Sequence, residues 1–314
     1  MQTVISFLFA VLALAAQAGD QEIFERAQAL WDQGQQMEAL KTCKELIKNF
    51  PTSKYVPDAY LMFGEYYFDQ AKLNKALMAY KKVTQFKNSA VFSYALYKTG
   101  WCYFNIHEFK RALEQFVAVV KHCDKEEQST GQKSKLRLEA LNDATLAYSH
   151  AGKASAAPAF FKRLAPKETG KLLSALAGMY LGDGKYRDAM EVYRHLIGQA
   201  GCSAEAPLLQ LKIIDCVVRS GMMQNVPPQV RRLAELFGQL DKCLPQPIEE
   251  QKEKLDQARE AAEQTLYDLA VFSHEEAAAT KDQKTVVLAR DLAESYLQLF
   301  PNSQRSAEIR GLLQ

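Results

Sequence analysis

The chain has 314 residues, of which 48% are hydrophobic and 24% are charged, a composition typical of globular proteins. Lysine and arginine number 39 and aspartate and glutamate number 37, so the net charge is only +2. Because no long run of like charge interrupts this balance, the composition excludes a concentrated basic surface, and we expect no nucleic-acid partner.

The N-terminus predicts export. Residues 4–16 form a mostly apolar run, and residues 16–18 read Ala-Gln-Ala, the small-x-small pattern of a secretory cleavage site. The run is too short to span a bilayer, which needs about 20 residues. We therefore predict a signal peptide over residues 1–18 and a periplasmic mature chain without a transmembrane helix. Gly19 follows the cut, so no lipid anchor is expected. The alternative is an uncleaved helix of a cytoplasmic protein.

One spacing recurs five times along the next part of the chain. A Tyr or Leu is followed nine residues later by Ala, and four residues after that by Cys, Tyr or Phe; the five alanines are Ala39, Ala76, Ala112, Ala157 and Ala189. Offsets of three and four place residues on one helical face, and turn signals separate the Tyr or Leu from the Ala. Each unit is therefore predicted to be helix, turn, helix, with the units at residues 20–53, 57–90, 93–126, 138–168 and 170–200. A small residue lies three positions before each Tyr or Leu, for example Gly64 or Gly100, and lets the two helices approach closely.

Beyond residue 200 the spacing fades, but helices are still predicted. Residues 204–220 and 228–240 indicate a degenerate helix pair, residues 248–280 a long polar helix, and residues 283–300 a last helix. Residues 201–314 are thus expected to form one degenerate repeat and a longer capping hairpin. No strand pattern is present, so the fold class is all-α.

The cysteines and the other potentially reactive residues give little indication of a metal site or a catalytic function. Cys202 precedes one helix of the degenerate pair and Cys243 follows the other, so an antiparallel arrangement could join them by a disulfide. Cys43 and Cys102 occupy helix positions and are expected to be buried thiols. No zinc-ligand spacing, phosphate loop or nucleophile motif occurs. We therefore expect no metal, no cofactor and no catalytic residue.

The repeated spacing resembles the tetratricopeptide repeat, a helix–turn–helix unit of about 34 residues. The units at 57–90 and 93–126 match it best. The resemblance implies a right-handed α-solenoid in which the first helix of each hairpin lines a concave groove. The residues placed on that groove by the repeat register are Phe24, Trp31, Leu61, Glu65, Phe68, Asp69, Tyr94, Tyr97, Trp101, Phe104 and Asn105.

This face is unusually aromatic. Aromatic rings dominate binding hot spots, so the groove is interpreted as a site for an extended peptide or a partner helix. Glu65 and Asp69 would favour a basic or hydrogen-bonding feature on that partner. The alternative is that these rings only pack one repeat against the next.

An exported solenoid of this kind is similar to the periplasmic repeat proteins of the outer-membrane assembly and Tol–Pal-associated type, and to repeats of gliding-motility machines. That resemblance implies a non-catalytic adaptor that docks an envelope protein of unknown identity, with peripheral association to membrane complexes. The lipid-attachment cysteine and the N-terminal coiled coil of those families are missing. An accessory or catalytic component of cell-wall metabolism and a cytoplasmic repeat adaptor are the alternative functions.

Overall fold

The computed structural model describes residues 19–314, and the predicted signal peptide at residues 1–18 lies outside them. Helices joined by short turns build the described chain, which contains no strand, so the all-α prediction is confirmed. The helices are α1 (19–32), α2 (Gln36–Asn49), α3 (Val56–Asp69), α4 (Leu73–Val83), α5 (Phe92–Asn105), α6 (Phe109–Thr130), α7 (Lys135–Ala151), α8 (Ala157–Leu164), α9 (Thr169–Gly182), α10 (Tyr186–Ala200), α11 (Glu205–Arg219), α12 (Val226–Cys243), α13 (Glu249–Thr280), α14 (Gln283–Leu299) and α15 (Ser306–Gly311).

The recurring positions form the contacts between paired helices. All five alanines of the repeat are fully buried. A Cβ atom at Gly64 would overlap the Tyr80 ring, and one at Gly100 would lie 2.6 Å from Cε1 of Phe116. These glycines are required because an aromatic ring of the second helix lies directly on the backbone of the first. The role predicted for the small residues is confirmed at both positions.

Two compact units divide the chain, one ending at Gly152 and the other beginning at Lys153. The boundary falls inside the fourth predicted repeat. In the first unit α7 packs against α6, whereas the eight-residue α8 packs against α9 and α10 in the second.

The C-terminal part contains the two predicted helices, α13 and α14, and a third helix, α15. Helix α13 runs for 32 residues and packs along α14 over a core that includes Leu266, Leu292 and Tyr296. Asp282 begins α14 by accepting hydrogen bonds from the backbone N–H groups of Lys284 and Thr285, at 3.0 and 3.1 Å. Helix α15 was not predicted from the sequence; it places Ile309 in the same core.

The cysteines are either paired in a disulfide or buried as free thiols. A disulfide joins Cys202 to Cys243, whose Cα atoms are 6.2 Å apart, and closes the hairpin of α11 and α12. Cys43 and Cys102 are buried free thiols, as predicted, and burial raises the pKa of each thiol to about 12. Neither is therefore a nucleophile at neutral pH.

Across residues 19–314, no helix has the length and apolar character that crossing a membrane requires.

Candidate partner-binding face

The eleven residues predicted to line a groove lie on α1, α3 and α5, all in the first unit. Their exposure differs widely. Phe24 is buried and Asp69, Tyr94 and Asn105 are exposed. The other seven are partly buried: Trp31, Leu61, Glu65, Phe68, Tyr97, Trp101 and Phe104.

Phe24 does not line an open surface, which corrects its predicted placement. Its side chain is 8% exposed and stacks on the Tyr55 ring, with centroids 4.7 Å apart. The chain returns from α2 to α3 past this point, so Tyr55 covers the face of α1. Trp31 packs against the same core, which includes Cys43 and Leu46. Helix α1 therefore contributes mainly to packing.

Glu65 connects three helices through its carboxylate. The Tyr80 hydroxyl of α4 donates a hydrogen bond of 2.6 Å to one oxygen of Glu65. From α5, Lys98 Nζ lies 3.1 Å and the Tyr94 hydroxyl 3.5 Å from the other oxygen. The charge of Glu65 is thus compensated inside the protein, so the predicted attraction of a basic ligand does not rest on this residue.

Lys98 covers the apolar part of this face. Its side chain is 13% exposed, and its Nζ atom lies 4.0 Å from the centroid of the Phe68 ring. Phe68 and Leu61 pack against a core that contains Tyr80 and Ala95. The cation–π contact and the ion pair with Glu65 together hold α3 against α5. The sequence pattern did not indicate Lys98, although it lies one helical turn after Tyr94.

Asp143 of α7 is the main residue that the sequence analysis missed. The Tyr97 hydroxyl and the Trp101 indole of α5 lie near its carboxylate and favour its ionised form. Burial raises the pKa of Asp143, the interactions with Tyr97 and Trp101 oppose the rise, and nearby Glu139 adds to it. Burial likewise raises the pKa of Tyr97 to about 12. A single Asp in a polar helix does not by itself indicate contacts with residues of another helix.

The remaining rings of the aromatic stretch form a chain of edge contacts. Trp101 meets Phe104 and Phe116 at centroid distances of 5.4 and 5.9 Å. Phe104 meets Phe109 at 5.1 Å, and Phe109 stacks on His150 of α7 at 4.4 Å. These contacts hold α5, α6 and α7 together. Much of the aromatic cluster is therefore structural, as the packing alternative requires.

One accessible part of the face remains, which we call the acidic tyrosine patch: Asp69 of α3, Tyr94 of α5 and Glu139 of α7. Tyr94 is 38% exposed, and both carboxylates lie at exposed positions. Burial, followed by the negative charges of Glu65, Asp69 and Glu139, raises the pKa of Tyr94 to about 12. The phenol thus lies in a negative field created by residues from neighbouring helices.

No group of three or more His, Cys, Asp or Glu residues within the described part of the chain could hold a metal ion. The chemistry that the patch offers is hydrogen bonding, aromatic contact and negative charge.

Comparison with known proteins identifies one repeat. The family model of the tetratricopeptide repeat matches residues 23–53, which span α1 and α2, so the predicted resemblance is confirmed for this hairpin. No curated protein sequence matches the chain.

Solved structures with similar folds include other repeat proteins. A tetratricopeptide repeat protein from Parabacteroides merdae is 15% identical, with 88% of this chain and 98% of that chain covered and a TM-score of 0.41. The C-terminal part of a repeat-containing protein from Cytophaga hutchinsonii is also 15% identical, with 91% and 98% covered and a TM-score of 0.41. The apo form of RapI is 12% identical, with 94% and 98% covered and a TM-score of 0.39.

Proposed function

We propose that the protein is a non-catalytic interaction scaffold that binds a segment of a partner protein at the acidic tyrosine patch. One observation carries this proposal: three successive first helices, α3, α5 and α7, bring Asp69, Tyr94 and Glu139 to one accessible face. Packing explains the half-buried rings beside them, but it does not require an exposed tyrosine among carboxylates. Tyrosine combines a large contact area with a polar tip, which suits it to an interface.

The partner segment is expected to carry Lys or Arg beside an apolar side chain. Lys98, the cation nearest to Tyr94, is already paired with Glu65, so the field at the patch stays negative. Asp69 and Glu139 are free to pair with an incoming cation, and the Tyr94 ring can stack on a guanidinium group. Such contacts also steer association, so binding should weaken as the salt concentration rises.

The proposed location is the periplasm, in a cell-envelope complex such as an outer-membrane assembly or motility machine. The apolar run at residues 4–16 and the Ala-Gln-Ala that ends it support export. N-terminal sequencing of the protein purified from cells tests this. A chain that starts at Gly19 is expected, and a chain that retains residues 1–18 would favour the cytoplasmic adaptor instead.

The binding proposal is tested by placing a photo-crosslinking residue at Tyr94 in living cells. We expect one dominant partner, captured less when Asp69→Asn and Glu139→Gln remove the two charges. Phe272, which is 54% exposed on α13, provides the control position for the same crosslinker. Capture at Tyr94 that is equal with and without both carboxylates, or the same proteins captured at Phe272, would contradict the proposal.

A catalytic component of cell-wall metabolism is the second candidate, because four carboxylates converge around α5. Glu65, Asp69 and Glu139 all act on Tyr94, and Asp143 lies beside Glu139. Release of soluble fragments from isolated peptidoglycan by the purified chain, abolished by Asp143→Asn, would favour this function. Glu65 accepts a hydrogen bond from Tyr80 and pairs with Lys98, as a structural carboxylate does, so we rank this function second.

A further inference from the structure

A second candidate surface lies on the first unit, between α2 and α4 with α3 as its floor. It is an open cavity of about 570 Å³, which we call the lysine-rimmed pocket. Its floor consists of Tyr60, Phe63 and Tyr67, and Ile47 and Met78 lie on its walls. Met78 is 71% exposed, more than any other large hydrophobic side chain of the described residues. A scaffold with no ligand at this pocket would have little reason to place methionine there.

Four lysines surround this apolar surface. Lys44 and Lys48 come from α2, and Lys75 and Lys82 come from α4; no acidic residue lines the pocket. Lys44 Nζ lies 6.0 Å from the Phe63 ring centroid and Lys75 Nζ lies 5.6 Å from that of Tyr67. The ammonium groups of Lys44 and Lys75 therefore lie over rings of the floor, all four lysines are exposed, and their aliphatic stems extend the apolar walls.

Within the described part of the chain these ammonium groups have no anionic partner. Within residues 19–314 none of the four forms an ion pair, whereas Lys41 pairs with Glu38 and Lys98 with Glu65. Lys48 and Lys82 also lie in the last turns of their helices, where they complement the helix dipole. Lys44 and Lys75 lie outside the last turns, so the dipole does not account for them. Charge complementarity thus indicates an acidic occupant.

The arrangement of the charges selects the class of occupant. On α2 the two lysines are one helical turn apart, about 6 Å, and on α4 they are two turns apart, about 10 Å. They form two rows with the apolar floor between them. A fatty acid or lipid has one anionic group and could satisfy one row. An amphipathic helix with carboxylates on both sides of an apolar stripe satisfies both.

We propose that the lysine-rimmed pocket is a docking site for an acidic amphipathic helix of a partner protein. Leu, Ile or Phe side chains of that helix rest on Tyr60, Phe63 and Tyr67, and its Asp and Glu residues pair with the two lysine rows. This site is separate from the acidic tyrosine patch and selects the opposite charge, so the inference does not depend on the function proposed for that patch.

Selection from a phage-displayed library of random linear peptides, with the purified chain as target, tests the proposal. The expected result is enrichment of sequences with apolar residues at helical spacing flanked by Asp and Glu. Affinities of the synthesised peptides are then measured by fluorescence anisotropy. The double variant Lys44→Glu, Lys82→Glu should bind them at least about tenfold more weakly, since each reversal replaces an attraction by a repulsion.

The matched control is Lys110→Glu with Lys125→Glu, which makes the same charge change at exposed positions of α6 and should bind like the original chain. Met78→Ser tests the apolar wall without any charge change and should also weaken binding. The double variant Asp69→Asn, Glu139→Gln should bind the peptides as well as the original chain does. This result distinguishes a failure of the proposal for the lysine-rimmed pocket from a failure of the proposal for the acidic tyrosine patch.

Four results would overturn the inference. Enriched peptides could lack acidic residues, or could bind the lysine variant as well as the original chain. Vesicles of phosphatidylglycerol could bind in a manner that needs Lys44 and Lys82 while no peptide is enriched, which would assign the pocket to a lipid surface. Sedimentation could show self-association that the same substitutions abolish, which would make a second copy of this chain the occupant.

Discussion

Glu65 allows a quantitative test of how the candidate face is held together. The Tyr80 side chain is fully buried, and the hydrogen bond to Glu65 gives its hydroxyl an acceptor. Burial and this hydrogen bond also raise the pKa of Tyr80 above its usual range. Replacing Glu65 by Ala leaves the hydroxyl buried without that acceptor and leaves Lys98 without its counter-charge.

The expected cost follows from these contacts. An unsatisfied buried hydroxyl costs about 1–3 kcal/mol. The partly exposed ion pair with Lys98 adds at most about 1 kcal/mol. Tyr80→Phe removes the donor itself and should cost only about 1 kcal/mol. In the Phe background, Glu65→Ala no longer strands a hydroxyl, so the two substitutions together should cost at least about 1 kcal/mol less than their sum.

Urea unfolding measured by tryptophan fluorescence is the appropriate assay. The chain has two tryptophans, Trp31 and Trp101, and both lie in the first unit, so the signal reports unfolding of the unit that contains Glu65. Additive effects of Glu65→Ala and Tyr80→Phe would show that the hydrogen bond does not stabilise the face. Glu65→Gln is the control, because its amide oxygen can still accept from Tyr80.

Three further predictions address the core, the pH dependence and the disulfide. Gly100→Ala should lower the melting temperature by a steric clash worth about 1–3 kcal/mol, whereas Gly178→Ala, with nothing within 4 Å of its new Cβ, should raise it; equal shifts by circular dichroism would contradict this. Because burial raises the pKa of Tyr97 from 10.0 to about 12, the stability it contributes should be complete below pH 10 and lost as pH rises towards 12. If a Tyr97→Phe variant loses as much stability as the original chain between pH 10 and 12, the assignment of this pH dependence to Tyr97 is refuted. Cys202→Ala should destabilise the second unit by about 4 kcal/mol, since the disulfide spans 41 residues; reduction of the original chain should have the same effect on its urea midpoint, and a free thiol at Cys243 before reduction would contradict the pairing.

Local spacing predicted the helices and their contacts well. The nine-residue interval between Tyr103 and Ala112 fixes where one helix ends and the next begins, and helical periodicity then determines which side chains are buried. The same argument placed Gly64 and Gly100 at close approaches. Such features depend on residues a few positions apart, so a single sequence is sufficient to predict them.

The candidate face was predicted less well, because its properties come from contacts between distant residues. Periodicity placed Phe24 on a groove, but the return of the chain past Tyr55 covers it. Glu65 was expected to attract a ligand, but Lys98 of another helix already compensates it. Asp143 was absent from the prediction because only the folded chain brings it to Trp101. Side-chain partners of this kind depend on how neighbouring repeats pack, which local patterns do not encode.

The near-neutral net charge conceals a separation of charge within the first unit. Exposed carboxylates from α3 and α7 surround Tyr94, whereas lysines from α2 and α4 surround Met78. The first surface is built by the first helices of successive hairpins, and the second mainly by the second helices. Surfaces of opposite charge favour different partners, and each surface repels a partner that suits the other. This charge difference would make binding at the two surfaces specific. A unit built of repeated hairpins can therefore present two surfaces of opposite charge, and substitutions on one should leave binding at the other unchanged.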